Sequence, residues 1–180
     1  MDTIKFIEQC KNQVYQRFTK TLEGLTPEQL VWRPAPHANC IAEIVLHVAR
    51  GEDEMIRTMA GLGPELWESQ KWREHFGYQE EQLHEKGFQF LKDGNLTPPQ
   101  LEDLLDYLEA LHQDTLSKLN SLTAEDLDRA RDPEQPKRIL ANNFRHLITH
   151  TNNHHGQVDY IRGLMQPDWD LPRGTGVIQQ

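Results

Sequence analysis

The chain has 180 residues, of which 37% are hydrophobic and 26% are charged, and its formal net charge is -9. This acidic balance argues against nucleic acid as a partner, because contact with the phosphate backbone needs a basic patch. No run reaches the roughly 18 apolar residues of a transmembrane helix, and the start MDTIKFIEQCKNQ lacks the apolar stretch of a signal peptide. We therefore expect a cytoplasmic protein without membrane contact, folded as one domain over residues 1–180. Cys10 and Cys40 are expected to be free and buried, since reducing conditions disfavour disulfides.

The first part of the chain shows helical spacing of its apolar residues. Steps of three and four positions predict a first helix over residues 4–25. Thr26 and Pro27 then form a start signal for one short turn, which the proline-containing stretch 33–36 interrupts. A second long helix is expected over about residues 39–60, where a glycine-rich stretch ends it.

The second part of the chain predicts two more long helices. Regularly spaced leucines indicate a helix over residues 101–122, and a further apolar stripe indicates one over about 139–164. No segment alternates in the way that a strand would. The predicted fold is therefore an all-α four-helix bundle. It carries a helical insertion between helices two and three, over residues 63–95, and an extended C-terminal tail after Pro167.

The fourth predicted helix carries three histidines at four-residue steps, His146, His150 and His154, where its apolar stripe would otherwise continue. Positions four apart lie on the same helix face, so His150 and His154 can chelate a divalent metal ion from one helix. Each four-residue step drifts by about 40°. This drift turns His146 away from His154, and we expect His146 to pack beside a ligand or to orient one, with a ligand role as the alternative. The alternative interpretation of the pair is two surface histidines spaced by chance.

His47 lies on the apolar second helix and is the candidate for a third ligand. Catalytic metal sites commonly have three protein ligands and one open position, and bundles build such sites from side chains on facing helices. The alternative is a core histidine bonded to a backbone carbonyl. Glu54, two turns further on, offers a general base, although a solvated carboxylate is the simpler interpretation. The remaining histidines show no supporting pattern and are assigned to the surface: His37, His75, His84 and His112.

Two segments together resemble a known family. The sequence His150-Thr-Asn-Asn-His154-His-Gly-Gln is similar to the fourth-helix motif of the DinB/YfiT-like superfamily, His-x-x-x-His-Arg-Gly-Gln. The loop at residues 31–36 resembles the Trp-x-Pro-like loop of that family, and His47 falls where the family places its first metal histidine. One position departs from the motif. His155 replaces the arginine, so that a structural or anion-pairing role of the arginine would be retained only in part.

The resemblance implies a divalent metal ion bound by His47, His150 and His154 and completed by water, with zinc or nickel expected ahead of iron or manganese. Characterised relatives include a mycothiol-dependent isomerase and bacillithiol transferases, in which the metal lowers the pKa of a thiol. The implied function is therefore a thiol-dependent S-transferase, or a related activity, on a small-molecule substrate with a low-molecular-weight thiol. Two alternatives stay open, a metal-dependent hydrolase without a thiol and a non-catalytic metal-binding or ligand-binding stress-response protein. A homodimer is expected, because bundles of this type often pair through an exposed helix face.

Overall fold

A computed structural model describes residues 2–78, 91, 96–130, 132 and 134–170 of the protein. No strand is present in these ranges, where Ala130 and Ile139 form an isolated antiparallel bridge. The α-helices are α1 Thr3–Leu22, α2 Pro27–Val31, α3 Ile41–Asp53, α4 Leu66–Ser69, α5 Trp72–Phe76, α6 Leu101–Asn120, α7 Ala124–Leu127 and α8 Leu140–Met165.

The four long helices form the predicted bundle. Helices α1 and α3 each contact both α6 and α8, so that every long helix has two neighbours around a shared core. The all-α prediction is confirmed. Helices α6 and α8 match the predicted ranges 101–122 and 139–164 closely, because their apolar periodicity is regular. Within the described ranges, no helix is both long and apolar enough to cross a membrane.

Local signals fix the ends of the first two helices. Helix α1 ends at Leu22, earlier than predicted, and Gly24 just beyond it adopts the left-handed φ of +73°. Leu25 lies outside the helix but is buried. Thr26 caps α2 as predicted. Its hydroxyl accepts the Gln29 N–H at 3.3 Å, and the Gln29 side chain accepts the Thr26 N–H at 2.9 Å.

The second long helix has a π-helical end that the sequence did not indicate. Helix α3 ends at Asp53, and residues Glu54–Met59 continue it as a π-helix. The chain turns at Gly61, which has a φ of +69° and lies in the predicted stop signal. The Asn143 side chain of α8 donates to the Met55 carbonyl at 3.2 Å. The π-helical segment therefore connects α3 to the helix that carries the histidine motif.

The start of the predicted insertion belongs to the core. Helices α4 and α5 are short, as expected, but Trp67 of α4 is completely buried. The Arg50 guanidinium lies 4.7 Å from the centre of a Trp67 ring. Residues 79–90, with His84, and residues 92–95 and 171–180 lie outside the described residues. The rest of the predicted insertion and the end of the predicted tail therefore fall there.

A buried network centred on Asp53 attaches the insertion to the bundle. The Asp53 carboxylate accepts the backbone N–H groups of Leu66 at 2.9 Å and Trp67 at 2.8 Å. It also accepts the Tyr107 hydroxyl at 2.7 Å, and its Oδ1 lies 3.1 Å from Nε of Arg57. Asp53 and Arg57 are both fully buried. Since a buried charge is costly unless it is paired, this network is a strong constraint on the fold.

A second buried ion pair connects three long helices. Nζ of Lys11 on α1 lies 3.0 Å from Oε2 of Glu52 on α3, and both side chains are 3% exposed. The Thr115 hydroxyl of α6 donates to the other Glu52 oxygen at 2.8 Å. The centre of the bundle is therefore polar as well as apolar, which the sequence analysis did not predict.

The prediction that four histidines lie on the surface is correct for two of the three that the structure describes. His37 and His75 are exposed, whereas His112 is only 4% exposed, so that its surface assignment was wrong. Nε2 of His112 lies 3.0 Å from the Asn12 side-chain oxygen, and its ring stacks on Tyr15 at 3.8 Å between centroids. His112 lies on the buried side of α6, next to Leu111, but the apolar pattern that predicted this helix did not include it.

Both cysteines are free, as predicted. Cys40 is buried, whereas Cys10 is only partly buried, so the expected burial holds for Cys40 alone. Burial raises the pKa of the Cys40 thiol to about 11. A thiol in this state is a poor nucleophile, and Cys40 is best understood as a core residue.

Candidate metal centre

His47 of α3 and His150 and His154 of α8 come together where the two helices pack. One ring nitrogen from each histidine lies within 4.8 Å of the other two, and Nε2 of His47 is 2.9 Å from Nε2 of His150. The ring centroids are 4.5 to 5.0 Å apart. All three side chains are half-buried. The structure therefore brings together the three residues that the sequence analysis selected, and their role as ligands stays a prediction.

A neighbouring amide orients the third histidine of the cluster. Nδ1 of His154 lies 2.7 Å from Oε1 of Gln157, one turn further along α8. When Nδ1 carries the proton and donates it to this oxygen, the lone pair lies on Nε2. Ligating histidines are commonly oriented in this way through their second nitrogen.

Burial keeps two of the three imidazoles neutral. Desolvation, followed by the proximity of His150 and His154, lowers the pKa of His47 to about 3. Desolvation, followed by the proximity of His154 and His146, lowers the pKa of His150 to about 4. Both rings therefore present lone pairs near neutral pH, which is the protonation state that a metal ligand needs.

The donor set fits a divalent transition metal ion. In tetrahedral zinc sites with bonds of about 2.0–2.1 Å, two ligating nitrogens lie roughly 3.3 Å apart. The spacing in the cluster, 2.9 Å for one pair and at most 4.8 Å for the others, brackets this value. No carboxylate or thiol joins the cluster within the described ranges. Neutral imidazoles suit zinc, nickel, copper and iron, and three of them leave room for water or a substrate atom.

The other candidates near the cluster lie outside it. His146 is exposed, and its ring stacks on that of His150 with 5.6 Å between centroids and an interplanar angle of 23°. This geometry agrees with the predicted packing role of His146. Glu54 is exposed on the π-helical segment and does not join the cluster, in agreement with a solvated carboxylate.

The sequence predicted that His150 and His154 take the place of apolar residues in the buried stripe of α8, but they lie beside this stripe. Thr151 and His155 continue it and are buried, whereas His150 and His154 lie half-buried beside it. Nε2 of His155 lies 2.9 Å from the Thr21 hydroxyl of α1 and 3.1 Å from the Asp159 carboxylate. Since each residue turns about 100° around a helix, His155 faces α1 while His154 faces α3. His155 is therefore a link between α1 and α8 and not part of the candidate metal centre.

Gly51 permits the close approach of His150 to α3, which the sequence analysis missed. A Cβ atom at Gly51 would lie 3.3 Å from Cε1 of His150, closer than ordinary van der Waals contact. We expect Gly51→Ala to displace the His150 ring and to weaken zinc binding by about tenfold, the lower end of the range for residues that orient ligands. Competition with a chromophoric zinc chelator measures the change.

Gly156→Ala is the matched control for this prediction. A Cβ atom at Gly156 meets no described atom within 4 Å beyond its chain neighbours and the backbone of its own helix, so that zinc affinity should be unchanged while the helix gains roughly 1 kcal/mol of propensity. Equal zinc affinity in Gly51→Ala and Gly156→Ala would show that the close approach does not position His150.

The hydrogen bond between Gln157 and His154 gives a second prediction. We expect Gln157→Ala to lower zinc affinity by roughly 10-fold to 100-fold, since the ring then loses the acceptor that fixes its tautomer and orientation. Gln157→Glu keeps an acceptor and should retain most of the affinity. Asn153→Ala, which removes an exposed amide from the same helix, is the control and should bind zinc like the unmodified protein. A normal affinity in Gln157→Ala would contradict the orienting role.

Comparison with known proteins agrees with this architecture. A sequence profile of the DinB superfamily matches residues 12–158, a range that contains all three histidines of the centre. The crystal structure of a conserved protein from Enterococcus faecalis superposes with a TM-score of 0.76 and 24% sequence identity, covering 91% of this chain and 97% of that chain. This likeness supports the fold. No curated protein matches the chain. Because the profile covers most of the sequence and the fold agrees, the chain belongs to the DinB superfamily.

Proposed function

We propose that the protein is a metal-dependent enzyme that uses a low-molecular-weight thiol to act on a small-molecule substrate, with His47, His150 and His154 as the metal ligands. The observation that carries this proposal is the convergence of three half-buried imidazoles from two helices, without a carboxylate among the described residues of the cluster. When bound, a divalent metal ion would lower the pKa of a coordinated thiol and so supply a thiolate near neutral pH.

The protein's own residues prepare this site in three ways. Burial keeps His47 and His150 neutral, so that they can bind the ion without first losing a proton. Gln157 fixes the orientation of His154. Because an imidazole carries no charge when it binds a metal, three such ligands would not cancel the positive charge of the ion, which favours an anionic partner such as a thiolate.

The lack of a carboxylate among the described residues of the cluster favours thiol transfer over hydrolysis. Metal-dependent hydrolases such as the H-E-x-x-H proteases pair the metal with a carboxylate general base. The general-base candidate from the sequence, Glu54, is exposed and lies outside the cluster. A hydrolase that acts without a thiol is therefore the second candidate function, and a non-catalytic metal-binding protein is the third.

Titration of the untagged, Co²⁺-loaded protein with thiols separates these functions. We expect 2-mercaptoethanol, N-acetylcysteine or glutathione to produce a thiolate-to-cobalt absorption band and to raise the melting temperature. Ethylene glycol, the oxygen analogue of 2-mercaptoethanol, should do neither. His47→Ala should abolish the thiol response, and His146→Ala should keep it. Ester or amide turnover without a thiol response would favour the hydrolase, and inactivity in both assays would favour a binding role.

A further inference from the structure

A small cavity lies beside the three-histidine centre, along the line where α3 and α8 meet. Its volume is about 210 Å³. Gln157 connects the cavity to the centre, since its side chain both lines the cavity and contacts Nδ1 of His154. On α3, Ile44 lies one turn before His47. The described residues that line the cavity are Ala38, Asn39, Ile44, Gln157, Tyr160 and Ile161.

The described residues that line this cavity are uncharged. Ile44 and Ile161 are 2% and 6% exposed, and Tyr160 is 69% exposed. Among the described lining residues, the polar groups are the amides of Asn39 and Gln157 and the Tyr160 hydroxyl. Oε1 of Gln157 is engaged with His154, whereas its amide nitrogen and the Asn39 side chain have no hydrogen-bond partner among the described residues. A ligand group in the cavity would therefore meet apolar surface, two amides and the Tyr160 hydroxyl, and no charged side chain among the described lining residues.

A larger cavity on the opposite side of Tyr160 has a different character. Its volume is about 790 Å³, and charged residues line it, among them Arg17, Asp159 and Asp170. None of the three histidines is among the described lining residues of either cavity, but the larger cavity lies at His155, on the side of α8 that faces α1. Gln157, which contacts His154, lines the smaller cavity, and the smaller cavity is therefore the one next to the centre.

We propose, on the basis of the metal-dependent function above, that the smaller cavity binds a neutral and mainly apolar group of the ligand whose reactive atom lies at the centre. Pockets for drug-sized ligands occupy about 300–1,000 Å³. The cavity is smaller, and it suits a short alkyl or aryl group with one hydrogen-bond acceptor. A charged group would lose its hydration there without gaining an ion pair.

A series of thiols of increasing length tests this assignment on the untagged, Co²⁺-loaded protein. The absorption change measures the affinity for ethanethiol, propanethiol, butanethiol and 2-mercaptoethanesulfonate. We expect the affinity of the alkanethiols to rise by roughly threefold to fourfold for each CH₂ that enters the cavity. The sulfonate should bind more weakly than propanethiol.

Two variants test whether the gain arises in this cavity. Ala38→Trp fills it from the loop before α3, and should remove the gain with chain length while leaving Co²⁺ binding and ethanethiol affinity in place. Tyr160→Ala opens its edge at an exposed position, where unfolding is not expected, and should reduce the gain. Ala124→Trp is the control for Ala38→Trp. It places the same tryptophan at an exposed alanine on α7, and the affinity should still rise with chain length as in the unmodified protein.

The outcomes distinguish this assignment from the proposed function. Equal affinity for all three alkanethiols, or an undiminished gain in Ala38→Trp, would overturn the cavity assignment while leaving the thiol response intact. A protein that binds Co²⁺ but no thiol would contradict the thiol function. In that case alkylhydroxamates of increasing length replace the thiols. Their affinity should rise with chain length in the unmodified protein and not in Ala38→Trp, and any other result would overturn the cavity assignment. Failure to bind Co²⁺ would overturn both.

Discussion

His150→Ala is expected to abolish stoichiometric metal binding. His150 lies at the centre of the cluster, with its Nε2 2.9 Å from that of His47 and its ring 4.5 Å from that of His154. Loss of a residue that merely orients a ligand costs roughly 10-fold to 100-fold in affinity, so the loss of a ligand should exceed 100-fold. Elemental analysis of the untagged protein and competition with a chromophoric chelator measure the effect.

The same variant should lose its stabilisation by metal. A ligand at 100 times its dissociation constant stabilises a folded protein by about 2.7 kcal/mol. Zinc should raise the melting temperature of the unmodified protein and leave that of His150→Ala unchanged. His146→Ala is the matched control, because it removes an exposed histidine one turn earlier on α8. Retention of one tightly bound zinc ion by His150→Ala would disprove the assigned ligand set.

Asp53→Ala is expected to destabilise the fold by about 3–5 kcal/mol, the cost of breaking a buried ion pair. The substitution leaves the fully buried Arg57 without this carboxylate and removes the acceptor of the Leu66 and Trp67 N–H groups. Total stability of a domain is about 5–15 kcal/mol, so this loss is a large share of it. Urea unfolding measures the change in the free energy of unfolding.

Two further variants show whether the ion pair is the cause. Glu54→Ala removes the neighbouring exposed carboxylate and should change stability by no more than about 0.5 kcal/mol. Adding Arg57→Met to Asp53→Ala removes the buried guanidinium, which would keep only Asp114 as an ion-pair partner among the described residues, and should recover part of the loss. A small effect of Asp53→Ala alone, comparable to that of Glu54→Ala, would contradict the structural role of the network.

The sequence predicted the features that depend on local spacing. Helix α8 and the leucine-rich α6 lie close to their predicted ranges, and Thr26 caps α2, because apolar periodicity and capping residues act within a few positions. The pair His150 and His154 follows from the same four-residue spacing. His47 was a candidate third ligand from its place on a second apolar helix, but its local sequence does not distinguish a ligand from a core histidine, and the family resemblance favoured the ligand.

The features that the sequence did not predict depend on distant partners. Asp53 looks like one of several acidic residues at a helix end, but its partner Tyr107 is 54 residues away. His112 is buried because its ring hydrogen-bonds with Asn12 and stacks on Tyr15, both on α1. Gly51 has no local signature of its role, which only appears once His150 approaches α3. In each case, tertiary packing decides what the side chain does.

The most direct test of the proposed metal centre is a crystal structure of the untagged protein with data collected at the absorption edge of the metal that it retains. We predict one anomalous peak per chain, about 2.0–2.1 Å from one ring nitrogen each of His47, His150 and His154. Absence of a peak at these nitrogens after incubation with zinc or nickel, or a peak bound only by surface residues such as His146, would contradict the account.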